Sequence, residues 1–124
     1  MGDLNDDPID DSLKKILKTK GKKRALDSVN LFNPMEAMFT KGIGSLAYRY
    51  KWNLFDQIFM TSNLVTEDRT TLTYWKAGIF APAFIRNDEE RFKGYPLRTY
   101  SGGTYTAGYS DLFAAYLFLF KVVK

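Results

Sequence analysis

The chain has 124 residues, one domain's worth, and 45% of them are apolar and 16% aromatic, which excludes a disordered tail and requires a packed core. It contains no Cys and no His, so disulfides, thiolate nucleophiles, Cys-ligated metals and every His-based metal site or triad are excluded. The net charge of +4 is too small to be a nucleic-acid footprint by itself. Any chemistry must therefore rest on carboxylates, amides, hydroxyls, Lys and Arg, a donor set that suits hard cations such as Mg²⁺ and Mn²⁺.

In chain order, the opening Met1–Asp7 is acidic and polar and does not read as a secretory signal. Ser12 can cap a short helix that places Leu13, Ile16 and Leu17 on one face, with Gly21 as its stop. Lys14, Lys15, Lys18, Lys20, Lys22, Lys23 and Arg24 crowd this stretch, as a phosphate-binding run or as a solvated helix end and loop. Asn33-Pro34-Met35-Glu36 reads as N-cap, N1 proline and capping-box acid, with Met35, Met38 and Phe39 facing the core and Gly42 ending the helix. Strand-like stretches follow at Leu46–Tyr50 and Leu54–Thr61, linked by Lys51-Trp52-Asn53, and at Thr71–Phe80, which Pro82 closes. Arg86–Lys93 is a charged loop. Leu97–Tyr100 and Thr104–Thr106 flank a hairpin turn at Ser101-Gly102-Gly103. Phe113–Val123 is apolar but for Lys121 and reads as a strand covered on both faces. Its longest uninterrupted apolar run, Phe113–Phe120, is far short of the ~20 residues of a spanning helix, so no membrane partner is expected. Two short helices and five or six strands make a small α/β or α+β sheet domain.

Three stretches carry chemistry. Gly2-Asp3-Leu4-Asn5-Asp6 lets the backbone approach a ligand at Gly2 and projects Asp3 and Asn5 to one side, unless it is a plain acidic turn. Such a loop ordinarily hangs from a buried strand, yet only Met1 precedes it, which suggests a chain that begins inside a larger fold. Trp52–Phe59 sets Asp56 in an otherwise apolar strand. A lone buried carboxylate costs several kcal/mol. Asp56 should therefore have a partner or lie at the sheet rim, with Gln57 also near solvent in the second case. Arg98–Asp111 gathers Gly, Ser and Tyr before Asp111 at the mouth of the last strand, as a Gly-rich hairpin or as a ligand loop.

These three motifs, in this order, resemble the C-terminal half of the endonuclease/exonuclease/phosphatase superfamily, which includes exonuclease III-like and DNase I-like enzymes. The nearest likeness is a branch typical of Bacteroidetes, with G-D-F-N-D-x-P, W-N-x-x-D-Q-I and R-T-Y/F-x-G-x-x-Y-x-G-G-Y-S-D-H-x-P-V patterns. This chain has Gly2-Asp3-Leu4-Asn5-Asp6-Asp7-Pro8, then Trp52–Ile58, then Arg98–Asp111. The resemblance implies one half of a four-layer α/β/β/α sandwich, here residues 1–124 as a single partial domain with one mostly antiparallel mixed sheet. It implies hydrolysis of phosphodiester or phosphomonoester bonds with Mg²⁺ or Mn²⁺. Asp3 matches the acid that orients the attacking water or serves the leaving oxygen. Asn5 matches the amide that holds phosphate or metal, and Asp56 the acid that pairs with the catalytic His. Asp111 matches a metal-binding acid, and Arg98 joins Asn5 as a phosphate contact. Asp3, Asn5 and Asp111 are thus the implied metal ligands.

The departures from the pattern are as informative. Its catalytic His is Leu112 here, its Pro and Val are Ala114 and Ala115, and a Gly before Tyr-Ser-Asp is Ala107. The family's N-terminal half, with its metal-binding Glu, has no counterpart in these residues. Loss of one preorganised donor costs ~10²–10³ in rate, so the chain alone is expected to be inactive. It would then be a remnant that self-associates or binds phosphate-rich ligands such as nucleic acid through Lys20–Arg24 and Arg98. The sheet face lined by Phe55, Phe59, Tyr116, Phe118 and Phe120 is expected to seek a second copy or a separately encoded N-terminal half.

Overall fold

A computed structural model describes residues 1–123. It is an α+β fold of short elements, in which five two-stranded antiparallel ladders replace the single sheet expected from the sequence. Strands of two or three residues dominate because turns interrupt the apolar stretches before a longer ladder can form. β1 (Gly2–Asp3) pairs with β5 (Asp56–Gln57), and β2 (Leu31–Phe32) with β6 (Met60–Thr61). β3 (Leu46–Tyr48) pairs with β4 (Lys51–Asn53), and β8 (Tyr100–Ser101) with β9 (Thr104–Tyr105). The one long ladder joins β7 (Thr73–Phe80) to β10 (Ala114–Phe120). Among the described residues no helix is long and apolar enough to cross a membrane.

The single α-helix among the described residues, α1 (Met35–Phe39), starts where its sequence says it should. The Asn33 side-chain oxygen accepts from the Met35 N–H at 3.0 Å, satisfying one of the helix's free donors. Glu36 does not close a capping box. Its carboxylate accepts from Lys14 Nζ at 2.7 Å instead. Gly42 ends the helix at φ +78°, a left-handed conformation that glycine adopts without strain. Met35, Leu54 and Ile58 form the core, which α1 and the inner face of the β7–β10 ribbon (Ala77, Ile79, Ala115, Leu117) close from two sides.

Three expectations need correction. Ser12–Ile16 is a single wide π turn, so only Leu13 is buried, while Ile16 is 77% exposed and Leu17 is also exposed. A turn of five residues does not repeat often enough to align all three on one face. Lys51-Trp52-Asn53 is a strand rather than a link. The reversal sits at Arg49-Tyr50, both left-handed (φ 47° and 65°), the geometry of a two-residue hairpin turn whose twist matches its strands. The last strand is covered on one face only, because its ribbon has no second layer over it. Residues 114, 116 and 118 of β10 are exposed while 115 and 117 pack inward.

Candidate active site

The N-terminal segment reaches the rest of the molecule through backbone pairing. In the β1–β5 ladder Gly2 faces Gln57 and Asp3 faces Asp56, and the Leu4 N–H donates to the Phe55 carbonyl at 3.0 Å. Directly opposite residues in such a ladder have Cβ atoms ~4.5–5.5 Å apart, and like charges there repel. Two carboxylates that lie 53 positions apart in sequence are thus forced together. Asn5 is left-handed at φ 52°, a conformation Asn tolerates, and its N–H donates to Asp3 Oδ1 at 3.0 Å. This turn ties the Asn5 backbone to the Asp3 carboxylate.

Asp56 is half-buried. Burial, then the charges of Asp3 and Asp111, push its carboxyl above the ordinary carboxylate range, against a lowering hydrogen bond from the Ser45 side chain. Its Oδ2 is buried without a hydrogen-bond partner. Asp111 is exposed, in the loop leading into β10. That loop is held to β3 and β4 by the Phe113 N–H donating to the Ser45 carbonyl at 2.8 Å and by the stacked Trp52 and Phe113 rings, 6.2 Å between centroids. Leu112, beside Asp111, donates its N–H to Ser110 Oγ at 3.1 Å. Asp3, Asn5, Asp56 and Asp111 therefore share one region. Arg98 belongs to another neighbour set. Its guanidinium donates to the Ala47 carbonyl at 3.3 Å and lines a cleft of about 890 Å³ between the β3–β4 hairpin and the 87–98 loop.

Two further residues hold this region together and escape a reading of the sequence. Asp7 is almost fully buried, and it accepts from the Leu54 N–H and from Asn53 Nδ2, each at 2.7 Å, with Lys51 Nζ at 3.8 Å. Gln57, 1% exposed, accepts from Asn33 Nδ2 at 2.7 Å and donates to the Asp6 carbonyl at 2.6 Å. The alternative that left Gln57 near solvent is thereby overturned: neighbours in a strand face opposite ways, so Asp56 turns to the rim and Gln57 to the interior. The signal for Asp7 was its place before Pro8 in the first motif. Ala107 is left-handed at φ 54°, so the Gly of the resembled pattern has a backbone reason.

As a cation site these residues are incomplete. Among the described residues no three Asp, Glu, His or Cys side chains come together so as to hold a metal ion. Burial, with the charges of Asp3 and Asp111, raises the proton affinity of Asp56.

Compared with known proteins, residues 1–121 match a family model described as "Endonuclease/Exonuclease/phosphatase family". No curated protein and no solved structure matches. That family is generally dependent on divalent metals. With nearly its whole length matched, the chain belongs to the endonuclease/exonuclease/phosphatase family.

Proposed function

We propose that this chain carries part of a phosphoesterase site of the exonuclease III-like and DNase I-like kind, in the Bacteroidetes-type branch, and that the 124-residue chain does not turn over substrate on its own. What supports the first half is the pairing of Asp3 against Asp56 on one ladder, with Asp111 within electrostatic reach, in a chain matched to the family over residues 1–121. In this reading Asp3 orients a water, Asn5 offers its amide to a phosphate oxygen and Asp111 offers a carboxylate, while Arg98, in the neighbouring cleft, contacts a phosphate of the substrate away from the reacting group. Asp56 is the acid meant to hold a catalytic imidazole.

What supports the second half is Leu112. A leucine neither donates to a phosphate oxygen nor accepts a hydrogen bond from Asp56, and Asp56 Oδ2 has no partner. Loss of the general acid–base and of one oriented donor each cost orders of magnitude, roughly 10²–10⁴ and 10²–10³ in rate. Bis-p-nitrophenyl phosphate and plasmid DNA, each with Mg²⁺ and with Mn²⁺, test both halves. No hydrolysis above the protein-free rate is expected. Activity that Asp3→Ala and Asp111→Ala both abolish would keep the site and overturn the inactivity. Activity that survives both would overturn the site.

A further inference from the structure

The charge of the chain is unevenly spread. Between Ser12 and Leu26 there are seven cations and no acid, while the remaining residues carry eleven cations against fourteen acids. The basic stretch is thus opposite in sign to the rest of the chain. A few inward contacts fix where it sits. Leu13 is buried, Lys14 Nζ donates to the Thr19 carbonyl at 3.0 Å and pairs with Glu36 of α1, and the Thr19 N–H returns to the Leu13 carbonyl at 2.9 Å. Lys20 then forms a short parallel bridge with Phe32. Since α1 packs on the inner face of the β7–β10 ribbon, the stretch lies on the helix-covered side of the molecule, away from the ribbon's open face.

The same turn pushes a mixed tip outward. Residues 15–18 are all exposed, with Ile16 at 77% and Leu17 at 44% between Lys15 and Lys18. Lys18 is left-handed at φ 54°, which turns the chain sharply after Leu17 and leaves the aliphatic pair at the crest. The exposed Lys22 and Arg24 follow within a few residues. Lys15 holds Asp11, but among the described residues Lys18, Lys22 and Arg24 have no carboxylate within ion-pair distance.

That combination selects the occupant. Single exposed aliphatic side chains are ordinary. Two adjacent ones at a crest, set among cations without counter-charges, match the boundary of an anionic bilayer. There aliphatic groups enter the acyl region while the cations stay with the headgroups. An apolar protein face would instead bury the cations without a counter-charge, which is costly. We propose that the 14–24 segment docks on anionic lipid, with Ile16 and Leu17 entering the interface and Lys18, Lys22 and Arg24 held by the headgroups. Attachment to a bilayer surface needs no spanning helix, and among the described residues there is none. The surface uses none of Asp3, Asn5, Asp56 and Asp111 and does not depend on hydrolysis.

Flotation of the full chain with vesicles of equimolar phosphatidylserine and phosphatidylcholine, against vesicles of phosphatidylcholine alone, tests it. The chain should rise with the anionic vesicles and stay behind with the neutral ones, and added salt should weaken the binding. Lys18→Gln combined with Lys22→Gln should weaken partitioning more than tenfold, since each cation near such a surface contributes about fivefold. Ile16→Gln should weaken it about fivefold while leaving its salt dependence unchanged, as one aliphatic side chain withdrawn from the interface would. Trp75→Ala, on the open face of the ribbon, should partition like the unaltered chain. All four side chains are exposed, and circular dichroism would verify that each variant is folded. No flotation, equal flotation with neutral vesicles, a loss caused by Trp75→Ala, or partitioning that Ile16→Gln leaves unchanged would overturn the proposal. So would a chain that ignores vesicles but binds polyglutamate or an oligonucleotide through Lys18 and Lys22, since a soluble polyanion would then be the occupant.

Discussion

A carboxylate that faces two others and buries one of its oxygens resists ionisation, and Asp56 is in that position. Its folded-state pKa lies above the ordinary carboxylate value of 3.8. The native state therefore holds the proton over a window that opens at about that value. This group's contribution to stability is largest below the window and falls as the pH climbs through it. Asp56→Asn, which removes the charge and keeps the shape, should raise the thermal midpoint at pH 7. The difference should vanish as the pH falls below about 3.8. Solvent screens a partly exposed group, so the gain is a small one. Melting curves across pH 3 to 7 measure it, and equal shifts at both ends would refute the electrostatic origin.

At the scale of elements, the turns decide more than the strands. Ala107 holds a left-handed backbone in the loop that runs from β9 to Asp111. An L-residue there is strained by ~1–2 kcal/mol, against ~0.5–1 kcal/mol of extra chain entropy lost by glycine. Ala107→Gly should thus stabilise the fold by up to ~1 kcal/mol, seen as a higher urea midpoint at unchanged slope. Gly108 has no such latitude. An added Cβ would collide with the Leu97 and Arg98 carbonyls, to which Tyr109 and Gly108 donate. Local signals of this kind were readable in advance: the Asn33-Pro34 helix start, the Gly42 stop and the Gly102-Gly103 turn all follow from single residues with known backbone preferences. The Arg49-Tyr50 turn was not, because neither residue favours a left-handed backbone and the paired strands impose it.

Across the whole molecule, a buried polar network joins segments far apart in the chain. Asn33 at the start of α1, Gln57 on β5 and the Asp6 carbonyl form one line of hydrogen bonds, and Asp7 clamps the same segment to Asn53 and Leu54. Removing Gln57 leaves the buried Asn33 Nδ2 and the part-buried Asp6 carbonyl without their partner, and a buried unsatisfied group costs ~1–3 kcal/mol. Gln57→Ala should therefore destabilise by at least ~2 kcal/mol. It should also loosen the β1–β5 pairing, which faster amide exchange at Leu4 would report.

The sequence by itself determined what this chain can be made of and which family it resembles. The missing His and Cys limit its chemistry to carboxylates, amides, hydroxyls, Lys and Arg, and three ordered motifs point to phosphoester hydrolysis. It also fixed the helix cap and the glycine turns, because these depend on neighbours within a few positions. Only the tertiary structure decided that Asp3 lies opposite Asp56, that Gln57 is buried, and that Phe113–Phe120 covers the core with one face while the other lies open. Ladder register and layer stacking depend on residues tens of positions apart, and no local periodicity records which strand arrives alongside.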